Sequence, residues 1–256
     1  MTTAPTTGPV TRPPRPPAAL RMTPGRWVTL AIGVPIALVL IGWSAFSLVA
    51  DVGGASFAVS TTVPVQDGRV VASTGGGDIT VHQGRVGGGT ARLTGTVEYS
   101  LIRPTFTVNG NGISLHCRVP TGNCGLNATL DVPSHTAVDL STGGGNMQVS
   151  GIQGNVTLDS SGGDVDGTGL FSRHVSTGSG GGNVTLVFTA VPDFVKVSSG
   201  GGDISIVLPP GTTSYHIKSH ASGGDYGAAG VPTNDASPHL IQVDSGGGNI
   251  SLAVAS

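Results

Sequence analysis

The chain has 256 residues and a formal net charge of −2; glycine supplies 43 positions, charged residues only 10% and aromatics 4%. Glycine without a three-residue period excludes collagen, and apolar residues at 38% in regular alternation exclude a wholly disordered chain. Lys196 and Lys218 are the only lysines, so no basic patch is available to neutralise phosphates and a nucleic-acid partner is excluded. Of 14 acidic residues only Glu98 is Glu; Asp favours turns and strand ends over helices.

In chain order, residues 1–26 are rich in Thr, Pro and Ala and carry Arg12, Arg15, Arg21 and Arg26 with no acid, the composition of a disordered tail. Residues 27–50 contain no charge; as a helix they span about 36 Å, enough to cross a hydrocarbon core of about 30 Å. Pro35 is tolerated in such a span, and Trp27 suits its interface. The arginines before the span and Asp51 after it put the N-terminus in the cytoplasm, which makes residues 51–256 extracytoplasmic at a cell membrane. The alternative is a cleaved signal peptide with Ser56-Phe57-Ala58 at its cleavage site; the apolar run is longer than a signal core and favours an uncleaved anchor.

Beyond the anchor a motif recurs: Ser or Thr, two or three glycines, Asp or Asn, then alternating apolar residues. Its corners end at Asp78, Asn146, Asp164, Asn183, Asp203, Asp225 and Asn249. From Asn146 onward successive corners are 18, 19, 20, 22 and 24 residues apart. A unit of about 20 residues in fixed order marks a solenoid whose units cover one another's apolar faces. Each unit holds two short strands, for example Val156-Thr-Leu158 before the glycines and Val184-Thr-Leu186 after them. Their alternation points Val, Ile and Leu inward and Thr, Ser and Gln outward. Glycine at the corner answers a need for positive φ and close backbone approach. Asp and Asn at the exit satisfy local backbone groups, and interleaved Asn dilutes repulsion in a stacked column. The expected fold is therefore all-β: a β-solenoid of about six to seven two-strand coils, preceded by one transmembrane helix. A first coil falls at residues 56–83, and residues 84–133 break the period as an inserted antiparallel meander that caps the N-terminal end.

Cys117 and Cys124 are the only cysteines. Outside the cytoplasm a close pair favours a disulfide; zinc on both thiols and His116 is the alternative, without a fourth ligand or the usual short spacing. Leu130-Asp-Val-Pro133, Thr136-Ala-Val-Asp-Leu-Ser-Thr-Gly-Gly-Gly-Asn146 and Val149-Ser-Gly-Ile-Gln-Gly-Asn-Val156, with the further repeats to Leu252, resemble the bacterial putative-adhesin family of membrane-anchored envelope proteins. The resemblance spans roughly residues 60–255. It implies a β-solenoid-like outer domain and no established enzymatic activity.

No cofactor, metal ligand set or catalytic constellation is expected. The Gly-Gly-Gly-Asp spacing departs from the calcium-binding nonapeptide repeat, and several corners carry Asn. Asp164 and Asp166 share a strand face at the separation of a glycosidase pair, but no aromatic residue stands near to hold a sugar. The seven histidines are scattered, and no nucleophile elbow or phosphate loop is present. The leading expectation is a non-catalytic, adhesin-like binding or scaffold module of the bacterial envelope, an integral single-pass membrane protein facing envelope glycan or protein. An accessory role in envelope-stress signalling is the alternative, and a polysaccharide-active enzyme a further one.

Overall fold

The computed structural model describes residues 54–255, apart from 85, 88, 101 and 118–123. The expected tail and membrane-spanning helix lie outside the described residues. The described chain contains strands and no helix. β1 (Gly54–Pro64), β2 (Arg69–Thr74), β3 (Ile79–Gln83), β4 (Thr90–Ser100), β5 (Thr105–Asn109), β6 (Gly112–His116) and β7 (Cys124–Val132) come first. Regular pairs follow: β8 (Ala137–Thr142) with β9 (Met147–Ser150), β10 (Val156–Ser160) with β11 (Val165–Leu170), and β12 (His174–Ser179) with β13 (Val184–Phe188). The last are β14 (Phe194–Ser199) with β15 (Ile204–Leu208), β16 (His216–Ala221) with β17 (Tyr226–Ala229), and β18 (Leu240–Ser245) with β19 (Ile250–Val254).

Two large mixed sheets result. One has ten strands in the order β1-β4-β7-β3-β9-β11-β13-β15-β19-β17, the other nine in the order β16-β18-β14-β12-β10-β8-β2-β6-β5. Each pair places one strand in each sheet, joined through a glycine corner, so the pairs stack as windings with parallel, in-register neighbours. Alternation decides which side chains face inward. Val138, Leu140, Val156, Leu158, Val195, Val197, Ile241 and Val243 of one sheet are buried, as are Met147, Val149, Val184, Leu186, Ile204, Ile206, Ile250 and Leu252 of the other. They form one continuous core.

Three expectations need correction. First, the windings do not stack in chain order. β14 and β15 pair with β18 and β19, and these in turn pair with β16 and β17, so the pair latest in sequence lies between two earlier ones. An end winding has a neighbour on one side only, so its side chains bury less. β18 and β19 offer Ile241, Val243, Ile250 and Leu252 to the core, whereas β16 and β17 offer mainly exposed or half-exposed residues, with Lys218 on the edge strand. The polar pair therefore goes outermost. Tyr215 ties the connections this return requires: its N–H donates to Pro232 O and its carbonyl accepts from Asn234 N–H.

Second, the stretch 84–133 is a meander only in part. β4 runs antiparallel to β7, and β5 antiparallel to β6. β6 and β7, however, lie parallel to β2 and β3 and continue the stack by another winding. The first coil then begins at β2, because β1 is an antiparallel edge strand on β4. Third, positive φ is not what the corners require. Among the corner glycines only Gly77 (φ 88) adopts it; the last glycine of each corner is required instead by close approach to the neighbouring winding.

Candidate functional site

The corners form three columns running along the stack. The buried column is hydroxyl: Thr74, Thr142, Ser160, Ser179, Ser199 and Ser245. Each of Ser160, Ser179, Ser199 and Ser245 accepts from the N–H of its own corner's last glycine, at 2.8 to 3.0 Å. Ser160, Ser179 and Ser199 also donate to a glycine carbonyl of the neighbouring corner: Gly145 O, Gly163 O and Gly182 O. One hydroxyl thus satisfies a buried donor within its winding and a buried acceptor in the next.

The glycine column is set by backbone contact. A Cβ on Gly145, Gly163, Gly182, Gly202 or Gly248 would come within 3.0 Å of the last-glycine carbonyl of the neighbouring corner (Gly77, Gly145, Gly163, Gly182 and Gly202 respectively). Gly144, Gly162 and Gly181, each one residue before the last glycine of its corner, would meet nothing within 4 Å.

The exposed column is the Asp/Asn ladder. Asp78 N–H donates to Asn127 Oδ1 at 2.9 Å, and Asn146 N–H to Asp78 Oδ1 at 2.8 Å. Asp164 N–H donates to Asn146 Oδ1 at 2.9 Å, and Asn183 N–H to Asp164 Oδ1 at 2.7 Å. Asp203 N–H donates to Asn183 Oδ1 at 2.9 Å, Asn249 N–H to Asp203 Oδ1 at 2.7 Å, and Asp225 N–H to Asn249 Oδ1 at 3.0 Å. All seven corner residues expected from the sequence join this one column, and Asn127 extends it. In spatial order it reads Asn127, Asp78, Asn146, Asp164, Asn183, Asp203, Asn249, Asp225, a strict alternation. At about 4.8 Å per winding, carboxylates then stand about 10 Å apart, near a Debye length at moderate salt. Stacking in chain order would instead place Asp203 against Asp225 and Asn127 against Asn146. The charge pattern therefore matches the observed winding order.

Asn127 was concealed because its corner contains no glycine triplet. Cys117 and Cys124 close that corner with a disulfide, Cα–Cα 6.1 Å, which replaces the zinc alternative. It stands directly on the next corner, where a Cβ on Gly75 would lie 3.0 Å from Cys117 Sγ and one on Gly76 3.2 Å from Cys124 O. The sequence signal for Asn127 is the alternation Ala128-Thr-Leu130 that follows it.

Beside the ladder, the outer face of the ten-stranded sheet carries a second ordered row. Register places Ser60, Thr94, Thr129, Thr80, Gln148, Asp166, Thr185, Ser205, Ser251 and Gly227 side by side across every strand. At strand spacing this row is about 43 Å long. Between it and the ladder lies a shallow cavity of about 230 Å³ bordered by Asp78, Thr80, Asn146, Gln148, Asp164 and Asp166. A parallel row holds Thr62, Arg92, Asp131, His82 and Ser150 on adjacent strands, with His82 Nδ1 2.5 Å from Ser150 Oγ. A cavity of about 400 Å³ opens beside Arg92 and Asp131.

Asp164 and Asp166, the pair considered for glycoside chemistry, flank buried Val165 on the outer face; Asp164 is committed to the ladder. Among the described residues no group of three His, Cys, Asp or Glu side chains is placed to hold a metal ion. Tyr215, in the core, has its phenol pushed up by burial, and its hydroxyl has no partner.

No family model and no curated protein matches this chain. Among solved structures it is similar to a putative cell adhesion protein from Clostridium sporogenes ATCC 15579, at 16% identity and a TM-score of 0.47, covering 78% of this chain and 100% of that one. It is also similar to a putative adhesin from Bacteroides fragilis NCTC 9343, at 13% identity and a TM-score of 0.43, covering 78% of this chain and 97% of that one. Likenesses at these levels assign no function.

Proposed function

We propose that the chain is a single-pass membrane protein of the bacterial envelope whose outer part, residues 51–256, is a β-solenoid acting as a binding or scaffold module, adhesin-like and non-catalytic. The observation that carries the reading is the ten-residue row on the outer sheet face, nine of whose members are polar. It is long and dominated by short hydroxyl side chains held in register by the strand pairing. Such side chains lose little rotamer entropy on contact, and their regular spacing suits an extended polymer such as a glycan strand or an extended polypeptide.

The test is binding of the whole chain, in lipid nanodiscs, to envelope polysaccharide and envelope protein fractions. Thr185→Lys with Ser205→Lys, in the middle of the row, abolishes binding and leaves the unfolding temperature unchanged. Ser176→Lys, on the outer face of the other sheet, leaves binding intact. Absence of binding to either fraction, or equal loss with both sets of variants, contradicts the reading.

A further inference from the structure

We propose that the ribbon end formed by the start of β1, the end of β4 and residues Ile102 and Arg103 is a lipid-contacting surface, seated in the headgroup layer of the membrane. The inference rests on reading residues 27–50 as an uncleaved anchor.

Three observations converge there. The first is composition. Phe57 and Tyr99 meet edge to face at 6.1 Å, and the Arg103 guanidinium stands 4.4 Å above the Phe57 ring. Ile102, beside them in the chain, is 51% exposed, the highest value among the exposed large apolar side chains of the described residues. An aromatic pair, a bare aliphatic side chain and a cation with a long apolar stem make up the usual inventory of a membrane interface. The rings lie at headgroup depth, the aliphatic side chain reaches the acyl boundary, and the guanidinium stays with the phosphates. Phe57 also packs against the core, so the cluster has a rigid base.

The second observation is tether length. Only residues 51–53 separate Ala50, the end of the apolar run, from Gly54 at the start of β1. Fully extended, the steps from 50 to 54 reach about 14 Å. Gly54 pairs with Ser100, and Ile102 N–H donates to Ser100 O. The cluster is thus tied close to wherever the anchor emerges, and a weak contact suffices under such an effective concentration.

The third is the uncharged edge strand itself, beside which the one carboxylate, Glu98 on β4, stands exposed opposite Ser56. β1 carries no charged residue from Gly54 to Pro64 although it is a long sheet edge, where charge is the common protection. A lipid surface that covers the start of β1 removes the need for it.

The experiment uses the whole chain in vesicles of phosphatidylethanolamine and phosphatidylglycerol, with and without acyl-brominated lipid, and reads tryptophan quenching. Native tryptophans are only Trp27 and Trp43. Trp27→Phe leaves Trp43 as the reporter of the anchor. In the Trp27→Phe, Trp43→Phe background, Ile102→Trp reports the proposed contact, and Tyr226→Trp reports the opposite edge of the same sheet. The expected result is strong quenching of Trp43, intermediate quenching with a blue shift at Ile102→Trp, and none at Tyr226→Trp. Quenching of Trp43 without quenching at Ile102→Trp overturns the contact and leaves the anchor standing. Equal quenching at Ile102→Trp and Tyr226→Trp means general adsorption and also overturns it. An unquenched Trp43 removes the anchor, and the contact with it. Circular dichroism of each variant verifies that the sheets are intact.

Discussion

Moving one methyl group by a single residue along a corner separates the stacking account from a general preference for glycine. Gly182→Ala places a Cβ within 3.0 Å of Gly163 O and C and 2.8 Å from Asp164 N. These are backbone atoms, and the corner around them is held by the buried Ser179 hydroxyl and the exposed Asn183–Asp164 ladder bond, so they cannot withdraw without breaking those hydrogen bonds. Overpacking that the backbone cannot relieve costs about 3 kcal/mol. Gly181→Ala meets nothing within 4 Å, and Gly181 is not among the residues with positive φ. It therefore gains about 0.4–1 kcal/mol by restricting the unfolded chain. At about 2–4 °C per kcal/mol for a domain of this size, Gly182→Ala lowers Tm by about 6–12 °C and Gly181→Ala raises it by about 1–4 °C. Thermal unfolding followed by circular dichroism in detergent reads both. Equal shifts, or a larger loss from Gly181→Ala, refute close stacking as the reason for the glycines.

Asn183→Asp keeps the ladder acceptor but sets three carboxylates in succession, Asp164, the new Asp and Asp203; two repulsive pairs at about 5 Å cost about 2 kcal/mol in low salt. The deficit is screened away in 1 M salt, where the Debye length falls to about 3 Å; a salt-independent deficit contradicts this. Thr177→Val removes a buried hydroxyl without a partner, and urea titration shows a gain of about 1 kcal/mol. Ser179→Ala leaves the Gly182 N–H without its acceptor and costs about 1–3 kcal/mol, whereas exposed Ser161→Ala is neutral by the same titration.

Local pattern carried much of this structure. The alternation of Val156-Thr-Leu158 or Ile204-Ser-Ile206 reports burial of every second residue, and that depends only on the two-residue period of a strand. The corner residues from Asp78 to Asn249 were legible as a repeating set for the same reason. Winding order was not, because pairing of β14 with β18 instead of β16 is a competition between distant segments for one exposed face. The clue lay in composition: His216-Ile-Lys-Ser-His-Ala221 is a poor core strand beside Leu240-Ile-Gln-Val-Asp-Ser245. The adjacency of Asp203 and Asp225 in the chain was a second clue, since a stacked column disfavours it. Asn127 escaped notice because its corner carries one glycine, Gly125, in place of the triplet. The role of the corner glycines was half legible: flexibility was the natural reading, but contact with the carbonyl below is a property of the stack and appears only when neighbouring windings are in place.

Crosslinking tests the winding order most directly. Lys196 on β14 is opposite Gln242 on β18, and Gln242 is opposite Lys218 on β16. Lys196→Cys with Gln242→Cys puts two thiols on adjacent strands at about 4.8 Å, within reach of a disulfide. Lys196→Cys with Lys218→Cys puts them about 10 Å apart, beyond the roughly 7 Å Cα limit. Non-reducing peptide mapping after mild oxidation shows the 196–242 link and not the 196–218 link. The opposite pattern would mean that the windings stack in chain order and that the alternating ladder does not exist.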